Sequence, residues 1–242
     1  MGVYNLERLT FLLVDDNRFV LKILQDVLKT LGAGQVITAE NGVEAIEFLS
    51  AHHGPYGCPV DMIISDLVMA PIDGHLLLKW VRQGKESPNR FMPFIMMSGA
   101  ADVENVEKAR DGGASEFLAK PFSAQTVSNR VLEVVDFPRQ FVATREYFGP
   151  DRHRKSDPKC PHDRRRINEK DATIVYSSDR VRRPRNDGDV FLFRLPNKLK
   201  EKVGGLGMSP PGELPLRHLQ AADEHLQRKG LEFHDWALGY LA

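Results

Sequence analysis

Carboxylate, hydroxyl and ammonium side chains recur in the first half of the chain, each directly after a short apolar run. These side chains belong to Asp15, Asp16, Asp66, Ser98 and Lys120. Carboxylates that converge on one place repel each other and raise their own pKa values unless a cation lies among them. Magnesium fits such a cluster, because it prefers oxygen ligands, keeps several waters and needs only two or three carboxylates from the protein. The residue types therefore predict a Mg²⁺ site.

The same residues predict chemistry on phosphorus. A carboxylate beside a divalent cation can act as a nucleophile and form an acyl phosphate, whose new oxygens need positive or hydrogen-bonding neighbours. Lys120 and the Ser98 hydroxyl supply them. Taken alone, the Asp15–Asp16 pair is more typical of a solvated turn or a helix cap. Its combination with Asp66, Ser98 and Lys120 favours the metal.

The elements that must position these residues alternate between short apolar runs and stretches of helical period. Strands are predicted at Thr10 to Val14, Gln35 to Thr38, Met62 to Ser65, Phe94 to Met97 and Glu116 to Leu118. Helices are predicted at Arg18 to Leu31, Val43 to Ala51, Gly74 to Arg82, Val103 to Arg110 and Ala124 to Val135. Strict alternation predicts an α/β fold with a doubly wound, five-stranded parallel sheet, which binds ligands outside the carboxyl ends of its strands.

Four sequence runs resemble the receiver domains of bacterial response regulators. They are Phe11-Leu-Leu-Val-Asp-Asp-Asn17, Ile64-Ser-Asp-Leu-Val-Met69 followed by Asp73-Gly74, Met97-Ser-Gly-Ala100 and Phe117-Leu-Ala-Lys-Pro121. Their order and spacing are those of the family, and the resemblance covers roughly residues 7–137. It implies a flavodoxin-like receiver fold and a phosphoacceptor of a two-component phosphorelay, which is a regulator and not an enzyme in the ordinary sense. It also implies that the domain assists its own phosphorylation and dephosphorylation.

The resemblance implies a role for each matching residue. Asp15, Asp16, Asp66 and the Val68 carbonyl would hold Mg²⁺, Asp16 more directly than Asp15, and Asp66 would also accept the phosphoryl group. Ser98 and Lys120 would each contact a phosphoryl oxygen. Phe117 would be the aromatic switch residue that swings inward when Ser98 moves, with a half-buried core aromatic as the alternative reading. Pro121 would follow a cis peptide, which costs little before proline.

One position departs from the family pattern. The family usually has proline four residues after the phosphoacceptor, whereas this chain has Ala70 there and Pro71 next. Asp66, Asp73 and Gly74 keep their usual spacing. The metal site is therefore expected to be intact, and only the path of the loop around Pro71 differs.

Charge divides the chain into an acidic head and a basic middle. Residues 1–137 hold 12 Lys and Arg against 18 Asp and Glu, and residues 138–202 hold 18 against 10. The two cysteines, Cys58 and Cys160, form no disulfide framework or zinc cage. No secretory signal or membrane span is apparent, because charged residues Glu7 and Arg8 occupy the place of an apolar signal core. We expect a cytoplasmic protein.

The alternation of predicted strands and helices stops after residue 137, where the predicted receiver domain (7–137) ends. Residues 138–202 are rich in Arg, Asp, Pro and Ser, and the stretch from Arg139 to Asp189 is expected to be largely disordered or loosely draped. Thr173 to Tyr176 and Val190 to Leu195 could be strands that pair with each other or lie on the receiver. Residues 203–242 carry apolar residues at helical spacing and predict an amphipathic helical segment. Such a short helix must dock, either on its own receiver or the preceding helix, or on a partner or a second copy of the chain.

Three functions are compatible with this organisation. The best supported is a phosphorylation-dependent switch that receives its phosphoryl group from a histidine kinase or a histidine phosphotransfer protein and changes a protein-binding surface. The alternative is a response regulator whose basic extension binds nucleic acid as an output arm. The absence of a recognisable DNA-binding motif and the sparse aromatic residues disfavour it. A phosphohydrolase with an aspartyl intermediate ranks last, because no insert forms a pocket for a small substrate.

Overall fold

The computed structural model describes residues 4–52, 58–99, 103–144, 147–152, 173–176, 191–194, 198–203 and 224. Five strands and five helices alternate through the first 136 residues. The strands are β1 (Thr10–Val14), β2 (Gln35–Ala39), β3 (Met62–Asp66), β4 (Phe94–Ser98) and β5 (Glu116–Ala119). The helices are α1 (Arg18–Thr30), α2 (Gly42–Ala51), α3 (Gly74–Gln83), α4 (Val103–Gly112) and α5 (Ala124–Asp136). Every predicted strand and helix in this region is confirmed.

The five strands form one parallel sheet in the order β2-β1-β3-β4-β5. The chain first adds β2 on one side of β1 and then returns to add β3, β4 and β5 on the other side, which is the doubly wound topology. The register pairs Val14 with Ser65 and Asp66 with Met97. The carboxyl ends of β1, β3 and β4 therefore lie at one edge of the sheet.

Both faces of the sheet are buried, as parallel strands require. Alternate residues of β1 belong to different core clusters. Phe11 and Leu13 pack with side chains of α1 and α5, whereas Leu12 and Val14 pack with side chains of α2 and α3. This two-sided burial explains why the strands read as continuous apolar runs and not as alternating patterns.

Helices begin close to the strand ends because polar side chains cap them there. The Asn17 side chain accepts hydrogen bonds from the first turn of α1, and Asp73 does the same for α3. Ser123 and Thr126 form a reciprocal capping box at the start of α5. These caps satisfy amide groups that have no partner within the helix. They also fix the loops that carry the site residues.

Part of the basic extension folds against the main α/β domain. Two short strands, β6 (Phe141–Ala143) and β7 (Phe148–Pro150), form an antiparallel hairpin with buried residues. Within the stretch expected to be largely disordered or loosely draped, residues 139–144 and 147–152 therefore contain an ordered hairpin. Phe141 and Phe148 make edge contacts with Phe91, at 5.1 and 5.2 Å between ring centroids. Isolated aromatic residues in an arginine-rich run have no periodicity, and the sequence pattern therefore did not reveal this packing.

Two further strands complete a second sheet. They are β8 (Thr173–Tyr176) and β9 (Phe191–Arg194), and the sheet has the order β7-β6-β9-β8. The prediction that these two apolar runs pair with each other is confirmed, since β8 and β9 are parallel neighbours.

A five-residue helix, α6 (Lys198–Lys202), returns the chain to the main domain. Val203 is buried in the cluster that contains α1 and α5, and its carbonyl accepts a hydrogen bond from the Asn5 amide at 3.3 Å. Lys200 pairs with Asp136 at 3.4 Å. The boundaries proposed at 137 and 202 stay predictions, but residues on both sides of them pack together.

Several sequence predictions lie outside the described residues. Among them are the helical segment after Val203, apart from Glu224, and the second cysteine, Cys160. Among the helices in the described ranges, none combines the length and the apolar character needed to cross a membrane.

Candidate metal centre at the carboxyl ends of the strands

Lys120 joins two of the predicted site carboxylates. Its ammonium nitrogen lies 2.7 Å from Asp15 Oδ2 and 2.7 Å from Asp66 Oδ1. Asp15 follows β1, Asp66 ends β3 and Lys120 follows β5, so three separate strands position the three groups. The structure thus brings together residues that are far apart in sequence, as the strand order requires.

Asp15 is only 1% exposed and uses both carboxylate oxygens within the protein. Oδ1 accepts a hydrogen bond from the Asn17 amide at 2.9 Å, and Oδ2 faces Lys120. Burial raises the pKa of Asp15 above its ordinary value, although the Lys120 ammonium opposes this effect. Burial alone would lower the pKa of Lys120, but Asp15 and Asp66 together raise it above its ordinary value. The two carboxylates therefore favour the charged form of Lys120, whereas burial disfavours the charged form of Asp15 despite the nearby ammonium.

Asp15, Asp16 and Asp66 can each offer one carboxylate oxygen such that all three atoms lie within 4.8 Å of one another. Asp16 is exposed, whereas Asp15 and Asp66 are buried. Three negative charges against the one positive charge of Lys120 leave an excess that a divalent cation would balance. The donor set contains only oxygen, which suits Mg²⁺. Both oxygens of Asp15 and both oxygens of Asp66 already accept from protein donors, so the exposed Asp16 is the freest ligand of this cluster.

The backbone around Asp66 is tightly constrained. The buried Ser65 hydroxyl donates to the Asp66 carbonyl at 2.9 Å. A Cβ atom added to Gly74 would lie only 2.2 Å from that same carbonyl oxygen, so a residue without a side chain is required there. The Val68 amide donates to Asp66 Oδ2 at 3.3 Å, while the Val68 side chain is 73% exposed. The use of the Val68 carbonyl as a metal ligand stays a prediction.

Ser98 and Phe117 lie on the two strands beyond β3. Ser98 ends β4 and is buried, and its carbonyl accepts a hydrogen bond from the Lys120 amide at 2.8 Å. Phe117 is half-buried and packs against the core on the α2 and α3 face. The structure places Ser98 beside the strand that leads to Lys120, but the roles of Ser98 and Phe117 as switch residues stay predictions.

Two X-Pro bonds in the site loops are cis. The Lys120–Pro121 bond agrees with the expectation for this position, and the Ala70–Pro71 bond lies where the sequence departs from the family pattern. Despite that departure, the loop leads into Asp73, whose side chain accepts from the Leu76 amide at 2.7 Å and starts α3. The changed position of proline therefore leaves the start of the helix in place.

Sequence reasoning missed two residues that shape the site. Asn17 both caps α1 and orients Asp15 through its amide, and Ser65 fixes the Asp66 carbonyl. Asn immediately before a stretch of helical period is a recognised capping signal, so the role of Asn17 could have been predicted. Ser65 gives no such signal, because a hydroxyl within a buried strand has no preferred partner that the sequence reveals.

The topology and the site residues together define a flavodoxin-like α/β protein of the receiver type. The family model described as "Response regulator receiver domain" matches residues 11–132, and the chain belongs to this family. Members of the family are phosphoacceptor regulators of two-component systems, broadly without enzymatic function, and they interact with histidine kinases and phosphotransfer proteins.

Known proteins similar to this chain match it over its first half. A "Probable transcriptional regulator ycf27" from Cyanidium caldarium is 34% identical over 124 residues, which are 51% of this chain and 45% of that protein. A "Chemotaxis protein CheY homolog" from Campylobacter jejuni is 31% identical over 51% of this chain and 90% of that protein. The solved structure of the chemotaxis protein CheY4 from Vibrio cholerae is 28% identical, with a TM-score of 0.45, over 52% of this chain and 98% of that one.

Proposed function

We propose that the chain is a phosphorylation-dependent switch of a phosphorelay, in which Asp66 takes a phosphoryl group from a histidine kinase or a histidine phosphotransfer protein. The observation that carries the proposal is the position of Lys120, 2.7 Å from carboxylate oxygens of both Asp15 and Asp66. When Asp66 is phosphorylated, this ammonium could exchange its contact with a carboxylate oxygen for one with a phosphoryl oxygen without leaving the site.

In the proposed reaction, one oxygen of the Asp66 carboxylate attacks phosphorus while the bond from phosphorus to the donor histidine nitrogen breaks. The released imidazole nitrogen keeps the electron pair and is protonated, and Asp66 becomes an acyl phosphate. Lys120 and the Ser98 hydroxyl would stabilise the phosphoryl oxygens. Mg²⁺ would be held by Asp16, Asp66 and the Val68 carbonyl, with Asp15 in support, and would neutralise charge on the transferring group.

Residues around Asp66 favour a preorganised acceptor. The Asp66 carbonyl is fixed by the Ser65 hydroxyl, and the close approach of Gly74 leaves the loop little freedom. A fixed nucleophile does not have to be ordered during the reaction, which lowers the entropic part of the barrier. The same site would later lose the phosphoryl group to water, so the domain would assist both its phosphorylation and its dephosphorylation.

Ser98 on β4 and Phe117 on β5 would respond to the phosphoryl group on Asp66. Movement of Ser98 toward the new oxygens would open space for the half-buried Phe117 ring and change the surface of α4, β5 and α5. That surface would bind a downstream protein in the cytoplasm. For the described part of the chain no observation favours nucleic acid, since Arg139 and Arg152 of the extension contact the receiver.

Intact-mass spectrometry of the full chain tests the proposal. Wild type and Asp66→Asn are incubated with Mg²⁺ and acetyl phosphate or phosphoramidate. We expect wild type to gain the mass of one phosphoryl group and the variant to gain none. Equal labelling of both would move the acceptor to another residue, and no labelling of wild type would contradict the proposed function.

A further inference from the structure

Arg139 attaches the β6–β7 hairpin to the beginning of β5. Its guanidinium donates to the carbonyl of Ser115, the residue directly before β5, and to the Asp151 carbonyl of the hairpin at 3.1 Å. It also lies 3.9 Å from the carboxylate of Glu116, the first residue of β5, which is buried. One side chain therefore connects the start of this strand to both ends of the hairpin segment.

The opposite end of β5 leads directly to the candidate metal centre. The strand has only four residues, and Lys120 follows it and contacts Asp15 and Asp66. Its pairing with β4 is continuous from Glu116 to Ala119. The hairpin and the phosphoacceptor site thus hold opposite ends of the same short strand.

Further contacts keep the hairpin in this position. Gly149 lies so close to Gly113 that an added Cβ would be 2.9 Å from the Gly113 Cα. Arg82, which is fully buried in α3, stacks against the Phe141 ring at 5.2 Å. Close-packed contacts of this kind have few intermediate arrangements, so the hairpin is expected to be either docked or released.

We infer that the docked hairpin is an autoinhibitory contact that disfavours phosphorylation of Asp66. Through Arg139 it holds β5 in the position of the unphosphorylated protein, and it is loosened when Asp66 is phosphorylated. This inference rests on the proposed function. In the structure Lys120 contacts two carboxylates. A phosphoryl group on Asp66 would offer its ammonium a third partner, and a shift of Lys120 toward that partner would pull on the end of β5. If phosphorylation of Asp66 loosens the hairpin contact, weakening that contact should in turn favour phosphorylation.

Hydrogen exchange on full-length wild type tests the first half of this linkage without any variant. Amide exchange in the hairpin segment 139–152 is followed with and without acetyl phosphate and Mg²⁺, with Asp66→Asn treated in the same way. We expect exchange in the hairpin to become about fivefold faster in phosphorylated wild type, at the lower end of typical couplings between sites, and to be unchanged in Asp66→Asn. Unchanged or slower exchange in phosphorylated wild type would overturn the inference.

The second half of the linkage is tested by comparing two arginines that contact the same carboxylate. Arg139→Ala removes the connection to the hairpin, whereas Arg130→Ala removes an arginine of α5 that lies 3.6 Å from Glu116. The steady level of phosphorylated relative to unphosphorylated protein should rise about fivefold in Arg139→Ala and stay within twofold of wild type in Arg130→Ala. Equal effects of both substitutions would assign the change to Glu116 and not to the hairpin.

The outcomes separate this inference from the proposed function. Wild type that takes no phosphoryl group overturns both. Wild type that is phosphorylated on Asp66, with the same hairpin exchange as before, overturns the autoinhibitory contact alone and leaves the phosphoacceptor role intact.

Discussion

The ammonium nitrogen of Lys120 lies 2.7 Å from Asp15 Oδ2, and Asp15 is only 1% exposed. The other oxygen of Asp15 accepts from the Asn17 amide, so this carboxylate is satisfied entirely by the protein. Lys120 therefore balances the charge of Asp15 and Asp66 within the fold. Under the proposed function the same ammonium would also contact a phosphoryl group on Asp66.

Replacing Lys120 with methionine should destabilise the protein in Mg²⁺-free buffer. The substitution leaves the Asp15 carboxylate buried without its cation, and breaking a buried ion pair in this way typically costs about 3 to 5 kcal/mol. Urea unfolding with EDTA present measures the loss. The double variant Asp15→Asn/Lys120→Met should recover most of it, since the unpaired charge is gone. If single and double variants are equally unstable, lost packing is responsible and not charge.

The sequence was sufficient to predict the main sheet and the location of the site. Strands buried on both faces read as apolar runs, and polar residues after β1, β3 and β5 lie at one edge because parallel strands have their carboxyl ends together. The grouping of Asp15, Asp66 and Lys120 therefore followed from the strand order. The hydrogen bonds that orient Asp15 and the Asp66 carbonyl could not be predicted from the strand order, because they depend on side-chain directions.

The extension could be predicted only in part. The pairing of β8 with β9 was anticipated from two short apolar runs, but the docking of Phe141 and Phe148 on Phe91 was not. Arg82 illustrates the reason. It reads as an ordinary polar residue at the end of a helix, yet it is fully buried. Three carbonyl groups from two different loops converge on it, those of Arg90 and Met92 after α3 and that of Gly113 after α4. Such convergence is a property of the tertiary structure.

Magnesium should stabilise the wild-type protein in proportion to its occupancy. An ion that binds only the folded state adds about 1.4 kcal/mol when its concentration is ten times its dissociation constant. Thermal unfolding in EDTA and in increasing MgCl₂ measures this effect. Asp16→Asn should lose most of it, because Asp16 is the exposed carboxylate of the cluster and has a free path to an ion. A magnesium response that is unchanged in Asp16→Asn would place the ion elsewhere.

Gly74→Ala should disturb the site as well as the fold. The new methyl group would lie 2.2 Å from the Asp66 carbonyl oxygen, so either α3 or the Asp66 backbone must move. Overpacking of this kind typically costs about 1 to 3 kcal/mol, and here it should also reduce phosphorylation from acetyl phosphate. Gly112→Ala is the matched control, because its methyl group would meet only the Leu78 side chain at 3.3 Å. Normal labelling of Gly74→Ala would contradict the tight placement of Asp66.

Arg82→Leu should be among the more destabilising substitutions. Arg82 donates to the carbonyls of Gly113, Arg90 and Met92 at 3.0, 2.9 and 2.7 Å, and leucine would leave these acceptors without their charged donor. Hydrogen bonds to charged groups are worth about 1.5 to 3 kcal/mol each, so a loss of at least about 3 kcal/mol is expected in urea unfolding.

The control for Arg82→Leu is Arg110→Leu. Within the described part of the chain, the Arg110 side chain forms exposed ion pairs with Glu107 and Asp111, and its replacement should cost less than about 1 kcal/mol. Similar losses in the two variants would show that the three carbonyl contacts of Arg82 contribute little to stability.

Tyr147 should make the stability of the docked hairpin sensitive to alkaline pH. Its hydroxyl donates to the Pro150 carbonyl at 2.7 Å, and burial raises its pKa to about 12 from an ordinary value of 10.0. Between these values the unfolded chain loses the phenolic proton while the folded chain keeps it. The stability that Tyr147 contributes is therefore fully present below pH 10.0 and is lost as the pH rises toward about 12.

Tyr147→Phe separates this contribution from all other alkaline effects. Near pH 8 the variant should be less stable than wild type by about 1 kcal/mol, because the hydrogen bond to Pro150 is lost. Near pH 11 the difference should vanish, since wild type alone loses up to about 1.4 kcal/mol per pH unit from this group. Urea unfolding at both pH values gives the comparison. A difference that is the same at both would mean that the Tyr147 phenol titrates normally in the folded protein and that burial does not protect its proton.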